Sequence, residues 1–442
     1  MFPFEYIHLG GDEVDKQAWK NCGRCQQLIK KEGLKDEKEL QSYFIKKMAA
    51  YINSKGKRAI GWDEVMEGGL AENTVVMSWR GMEGGIHAAN MGHDVIMAPN
   101  SYAYFDLYQG DPELEPDAYS RLLLSQVYRF DPAPQEVGAD KRHHVLGGHG
   151  CLWTEHIQTG PQAEYMLFPR LLALSETIWT PKERLSWEHF LGRMEHHLAR
   201  LEAAGINYAK SAYQANINIV RDTTADGLKA VIKNELGRHA IRYTLDGSPP
   251  DERSPLYKGP VVLENKTVIK AATFRNGKRF GQVSSVEYYL NKATGKKVRY
   301  INTYSPQYAA GGDSGLANGL WGTKDFLDGR WQGFQEKNLE IVIDLGKPQA
   351  ISSIRTHFLH NPASWIYLPR RVEFAVSEDG AHFTTVASFG AANQDANGIK
   401  AYEKQFPSQK ARFVKIVGEN IGRRPGRPEE KAWVFIDEVI VE

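Results

Sequence analysis

Hydrophobic and polar residues follow two different rhythms along this chain, and the change of rhythm divides it. From Met1 to about Tyr208, short apolar runs alternate with longer stretches whose apolar residues recur every three or four positions, the mark of repeated β-α units. Strands are predicted at Phe4 to Leu9, Arg58 to Trp62, Thr74 to Trp79, Asp94 to Ala98 and His144 to Trp153. Helices are predicted at Glu39 to Ser54, Gly84 to Met91, Ala118 to Tyr128, Gln162 to Thr177 and Trp187 to Ala204. Lys55-Gly56-Lys57 supplies a helix stop.

After Asn207 the helical period vanishes, and short alternating runs are broken by Gly, Pro, Asn and Asp. Ile241 to Leu245 reads as a strand entering the turn Asp246-Gly247-Ser248, and Val268 to Phe274 as a strand entering the hairpin turn Asn276-Gly277. Asp226 to about Leu290 is therefore expected to be a small antiparallel β-sandwich, and polar Asn291 to Lys297 a linker. The remainder reads as all-β, with strands at Leu339 to Leu345, Val372 to Ser377, Arg412 to Val417 and Trp433 to Val441.

Several of the early strands end in similar chemistry. Trp62-Asp63-Glu64, Ser78-Trp79-Arg80 and Trp153-Thr154-Glu155 put aromatic and charged residues at successive strand C-termini, as a (β/α)8 barrel does at one mouth. The sharpest such end is His8-Leu9-Gly10-Gly11-Asp12-Glu13. Consecutive strand residues face opposite ways, so Asp12 and Glu13 can serve one substrate only if the chain turns there, which the glycine pair permits. Adjacent carboxyls repel, which is expected to raise one pKa and lower the other, giving an acid beside an anion. A solvated loop is the bland alternative for any Asp-Glu pair.

Composition narrows the rest. The chain has 442 residues, 42% hydrophobic and 25% charged, enough for about three domains. A net charge of +1 gives no electrostatic footing for nucleic acid or an anionic membrane. No apolar run approaches the roughly 20 residues of a membrane span, and the N-terminus does not read as a signal peptide. Three cysteines make no disulfide scaffold, and Cys22-Gly23-Arg24-Cys25 lacks the second pair a zinc site needs, leaving a local disulfide or two free thiols. Aromatic residues are plentiful, with 10 Trp and 20 Tyr, and aromatic faces stack on sugar rings as well as filling cores.

Taken in order, His8 to Val14, Gly61 to Glu64, Ser78 to Gly81, Tyr104-Phe105-Asp106 and Leu152 to Glu155 resemble the catalytic barrel of family 20 glycoside hydrolases, the β-N-acetylhexosaminidases. The resemblance implies Glu13 as general acid/base, Asp12 as the residue orienting the substrate's 2-acetamido group, and an oxazolinium intermediate with net retention. It implies Tyr104 as a donor to the acetamido oxygen, Trp62, Trp79 and Trp153 as an aromatic wall, and His8, Asp106 and Glu155 as further sugar contacts. No cofactor is implied for catalysis.

Residues 209–293 resemble the β-sandwich that follows the barrel in chitobiases and hexosaminidases. Residues 294–442 resemble the discoidin or F5/8 type C jelly roll, on Leu327-Asp328-Gly329 and Ala432 to Val439. That likeness implies carbohydrate binding, with Trp321, Trp331 and Trp365 as stacking candidates, and a structural calcium on Asp328 and Glu438. The expected fold class is thus α/β followed by all-β: a partial (β/α)8 TIM barrel over residues 1–208, a β-sandwich and a discoidin-like jelly roll.

In the family the acid pair follows the fourth barrel strand, so the resemblance implies that strands one to three, with a sugar-binding arginine, lie outside this sequence. Arg80 does not take that arginine's place. The expectation is a fragment with impaired turnover, completed by an N-terminal half or a second copy, from a periplasmic, outer-surface or secreted parent acting on N-acetylhexosamine glycans. A non-catalytic carbohydrate-binding or scaffold protein is the alternative.

Overall fold

The computed structural model describes residues 3–222, 227–263, 267–391 and 397–442, so Asp226, where the β-sandwich was expected to start, lies outside them. The chain forms two compact units, Met1–Ala212 and Tyr213–Glu442.

The first unit holds a five-stranded parallel sheet of β1 (Tyr6–His8), β2 (Arg58–Trp62), β3 (Val75–Ser78), β4 (Val95–Met97) and β5 (Val145–Gly148), hydrogen-bonded in sequence order. The order contains no reversal, unlike a doubly wound sheet. Helices α1 (Gln17–Lys20), α2 (Gly23–Glu32), α3 (Glu37–Ser54), α4 (Glu83–Asn90), α5 (Asn100–Ala103), α6 (Leu124–Val127), α7 (Gly160–Leu167), α8 (Arg170–Trp179) and α9 (Trp187–Ala203) accompany it. Helix α3 begins where Asp36 accepts hydrogen bonds from the Lys38 and Glu39 amides, and it packs Ala49 and Ile52 against Ala59 of β2.

Two predicted helices are corrected. Gln162 to Thr177 is split into α7 and α8, because Pro169 has no N–H and pushes Phe168 into an extended conformation. Ala118 to Tyr128 is helical only over α6. Its first part carries Ser120 at φ +53° and is tied to Tyr108, whose amide bonds the Ser120 carbonyl at 3.1 Å while its carbonyl accepts from the Leu122 amide at 2.8 Å. Helices α1 and α2 were not anticipated.

In the second unit, β6 (Asn216–Asp222), β7 (Gly227–Lys233) and β9 (Val261–Leu263) form one antiparallel sheet. A second contains β8 (Ala240–Thr244), β10 (Thr267–Arg275), β11 (Lys278–Arg279) and β12 (Ser284–Tyr288). Ile232, Ile269 and Tyr288 pack in their shared core. The turn at Asn276 and Gly277, at φ +52° and +78°, falls where the sequence placed it.

The expected linker is instead part of the fold. Ala293 is fully buried, and the Asn291 side-chain oxygen accepts from the Ala293 amide at 2.8 Å and the Val441 amide at 3.1 Å. Polar composition suggested solvent, but here the polar groups satisfy backbone amides of the final strand.

The terminal sheet runs β14 (Gln332–Gln335), β21 (Trp433–Val441), β15 (Leu339–His360), β18 (Gly398–Gly418), β16 (Val372–Ser377) and β17 (Thr384–Phe389), with β13 (Lys297–Tyr300) on β15 and a small ribbon of β19 (Arg423–Arg424) and β20 (Arg427–Lys431). Its core gathers Phe334, Ile343, Phe358, Phe374, Val414 and Ile436.

Candidate active site

The acid pair sits on a loop whose shape is forced. Gly10 and Gly11 adopt φ +71° and +102°, and a Cβ on Gly11 would stand 2.7 Å from Val65 Cγ1. The Gly10 carbonyl accepts from the Trp62 amide at 3.0 Å, and the Gly11 carbonyl from Gln41 Nε2 at 2.7 Å. Glu13 itself lies at φ +47°, an unfavourable conformation for a non-glycine residue. The neighbours thus hold both exposed carboxylates beyond the end of β1.

The C-terminal strand ends converge there. A cavity of about 620 Å³ is lined by Asp12, Glu13, Trp62, Trp79, Tyr104, Trp153 and Glu155, together with Tyr119, Arg121, Gln126, Asn100, Ser101 and other loop residues. The aromatic rings form a chain around it: His8 meets Trp62 at 5.0 Å, Trp62 meets Trp153 at 6.0 Å, Trp153 meets Tyr104 at 6.3 Å, and Tyr104 stacks on Trp79 at 6.3 Å. Burial pushes the Tyr104 phenol well above its ordinary value, so its hydroxyl stays a proton donor at neutral pH.

His8 and Asp106, both predicted sugar contacts, are not among the residues that line the cavity. His8 Nδ1 accepts from the Gly10 amide at 3.0 Å, and desolvation lowers its pKa, with Asp12 opposing. Asp106 is buried and accepts a short hydrogen bond from the Tyr119 hydroxyl. Tyr119 itself lines the cavity, so its phenol links the buried carboxylate to the cavity wall. The predicted helix across Tyr119 hid it.

The acids of Trp62-Asp63-Glu64 also face away from the cavity. Asp63 accepts from the Trp79 and Arg80 amides at 3.2 and 3.3 Å and from Arg80 Nε at 2.7 Å. Glu64 Oε2 accepts from the Trp79 indole N–H at 2.9 Å, which fixes the rotation of that ring. Arg80 is further held by Glu67 at 3.1 Å. These residues build the wall rather than the catalytic floor.

Residues 1–182 match the family model described as the glycosyl hydrolase family 20 catalytic domain. That stretch of the chain is therefore similar to family 20 catalytic domains. That match is followed by one to a model described as Fn3 associated over residues 230–288 and one to the F5/8 type C domain over 300–439. A beta-hexosaminidase of Porphyromonas gingivalis is 41% identical over 299 residues, 65% of this chain and 37% of that protein. One of Vibrio furnissii is 35% identical over 179 residues, 40% of this chain and 29% of that protein. The solved family 20 exo beta-N-acetylglucosaminidase of Vibrio harveyi, in complex with N-acetylglucosamine, is 35% identical with a TM-score of 0.44, covering 48% of this chain and 34% of that one. The chain therefore spans about a third of the length of these relatives.

In the segment that matches the F5/8 type C model, the two predicted calcium ligands each accept hydrogen bonds from backbone amides. Asp328 accepts from the Thr323 amide at 2.6 Å and the Arg330 amide at 2.7 Å, whereas Glu438, fully buried, accepts from the Asn318 amide at 2.8 Å. Among the described residues no group of three or more His, Cys, Asp and Glu is arranged to hold a metal. Of the stacking candidates, Trp331 is buried and Trp321 lies between His357, 4.0 Å away, and Arg355, 5.1 Å away. Trp365 is exposed, on a turn at φ +64°.

Proposed function

We propose that this site hydrolyses terminal non-reducing N-acetyl-β-D-hexosamine residues of glycans, with retention, using the substrate's own acetamide as nucleophile. The observation that carries the reading is the convergence of Asp12 and Glu13 with Trp62, Trp79, Tyr104 and Trp153 on one cavity. Glu13 gives its proton to the glycosidic oxygen as the bond to the anomeric carbon breaks. The acetamide carbonyl oxygen attacks that carbon, and the cation that forms is an oxazolinium. Asp12 orients the acetamide N–H and stabilises the positive charge, while Tyr104 donates to the carbonyl oxygen and holds it in line. The rings enclose the acetamido methyl and the apolar sugar face. Water, deprotonated by Glu13, then opens the ring and regenerates the acetamide.

We further propose that β1 to β5 are the fourth to eighth strands of a (β/α)8 barrel. Three strand spacings, about 14 Å of flat sheet, separate β2 from β5, yet Trp62 and Trp153 meet at 6.0 Å, which suits a curled sheet. Among the described residues β1 pairs only with β2, and β5 only with β4. Parallel sheets are buried and leave no long free edge, so additional strands, from a longer chain or a second copy, cover these edges in the active form.

The 442-residue chain alone is expected to release little nitrophenol from 4-nitrophenyl N-acetyl-β-D-glucosaminide. Turnover of about 1–10³ s⁻¹, ordinary for an enzyme, would contradict completion by further strands. Failure of N-acetylglucosamine to change the tryptophan fluorescence of both the chain and a longer protein containing it would contradict the site itself. The exposed Trp365 favours a second reading, in which the F5/8 type C domain adds glycan binding.

A further inference from the structure

The cavity gathers negative charge around one positive side chain. Asp12, Glu13 and Glu155 line it, and among the described residues Arg121 is the one lysine or arginine in that lining. Neighbouring arginines are consumed inside the protein: Arg80 pairs with Asp63 at 2.7 Å and Glu67 at 3.1 Å, and Arg170 is fully buried on backbone carbonyls. Arg121 is exposed, and no carboxylate or carbonyl among the described residues pairs with its guanidinium. A solvated surface arginine is ordinary. This one differs because it lines a cavity whose other charged residues are all carboxylates.

Its backbone is anchored on both sides. The Tyr108 amide bonds the Ser120 carbonyl at 3.1 Å, the Tyr108 carbonyl accepts from the Leu122 amide at 2.8 Å, and Arg170 holds the Leu122 carbonyl at 3.1 Å. Tyr119 donates to buried Asp106, and its ring meets His156 at 5.8 Å. The acids of the same loop have other partners: Asp117 has His156 at 2.9 Å, and Glu115 accepts from the Gln109 amide at 2.6 Å. A fixed loop thus presents an unneutralised guanidinium to the cavity.

We propose that Arg121 recognises an oxyanion on the glycan, a sulfate ester or a uronic acid carboxylate, and so makes anionic glycans the preferred substrates. The inference rests on the reading of the cavity as a hexosamine site. A guanidinium is planar, stays charged, and presents parallel N–H donors that match two oxygens of a sulfate or carboxylate. The cavity acids repel such a glycan, and a cation placed among them offsets that repulsion. Neutral hexosamines offer only hydroxyls, which lack the charge that strengthens the bond.

The test titrates the 442-residue chain, and a longer protein containing it, following tryptophan fluorescence. The ligands are N-acetylglucosamine, its O3-, O4- and O6-sulfates, and N-acetylglucosaminyl-β-glucuronic acid. At low ionic strength at least one anionic sugar is expected to bind about tenfold or more tighter than the neutral one. Added salt should shrink that preference. A sulfated sugar as the tightest ligand assigns the sulfate ester, and the glucuronide assigns the carboxylate. Arg121→Gln is expected to remove the preference, and Arg121→Lys to restore part of it, since Lys keeps the charge but not the fork. Three results would overturn the role: neutral binding with no preference for any anionic sugar, a preference that survives Arg121→Gln, or equal weakening of neutral and anionic sugars by that change. Silence of every sugar in both proteins would overturn the hexosamine site itself, and the inference with it.

Discussion

Glu13→Gln is expected to lower glycoside hydrolysis by about 10²–10⁴-fold, in the chain or in any longer protein that contains it, with sugar affinity nearly unchanged. Gln keeps the size and hydrogen-bonding reach of Glu, so the loop held at φ +47° has no steric reason to move. It cannot supply a proton, and the glycosidic oxygen must then leave as an anion. The loss should therefore fall on kcat more than on KM. It should also grow with the basicity of the leaving group: modest for a dinitrophenyl glycoside, which leaves unaided, and largest for a chitobiose-type glycan. Initial rates across such a series read this directly. Equal loss on every leaving group would remove Glu13 from the role of proton donor and leave it a binding residue.

Arg170→Met is expected to destabilise the first unit by about 3–6 kcal/mol, although Arg170 does not line the cavity. Its guanidinium is fully buried and donates to the carbonyls of Leu107 at 2.9 Å, Leu122 at 3.1 Å, Phe105 at 2.5 Å and Met166 at 2.8 Å. Three of these acceptors belong to the segment that carries Tyr104, Asp106 and Tyr119 to the cavity. Met fills comparable length but leaves four acceptors without those donors, each a penalty of about 1–3 kcal/mol before relaxation. Against a typical domain stability of about 5–15 kcal/mol, that is enough to loosen the wall. The urea midpoint, followed by tryptophan fluorescence, measures it, and a loss below about 1 kcal/mol would show that the segment holds itself. Arg170→Lys should recover part of the loss, since it keeps the charge but not the forked donor geometry.

Local pattern carried the strands well: Arg58–Trp62, Val372–Ser377 and Trp433–Val441 lie where alternation and apolar runs placed them. The acid loop was legible because its glycine pair has a conformational use that the structure bears out. Pattern failed where long-range bonds override it. Ala118 to Leu123 has helical spacing, yet Tyr108 and Arg170 hold its backbone in another shape and bring Tyr119 to the cavity. Asp63 and Glu64 look like Asp12 and Glu13 in sequence, both acid pairs following a strand. Only the three-dimensional partners separate them: the first pair is taken up by Trp79 and Arg80, the second opens on the cavity. The polar run from Asn291 to Lys297 misled for a related reason, since composition does not reveal that a side chain will serve a strand 150 positions away.

The central claim is that the nucleophile belongs to the substrate. It is tested most directly by the turnover of 4-nitrophenyl glucosaminides whose acetamide methyl carries none, one, two or three fluorines. Each fluorine withdraws electron density from the carbonyl oxygen and barely changes the leaving group. The account predicts a kcat that falls steeply and progressively along the series, because that oxygen forms the new bond. A kcat independent of fluorination would contradict it and point to a protein nucleophile in this cavity.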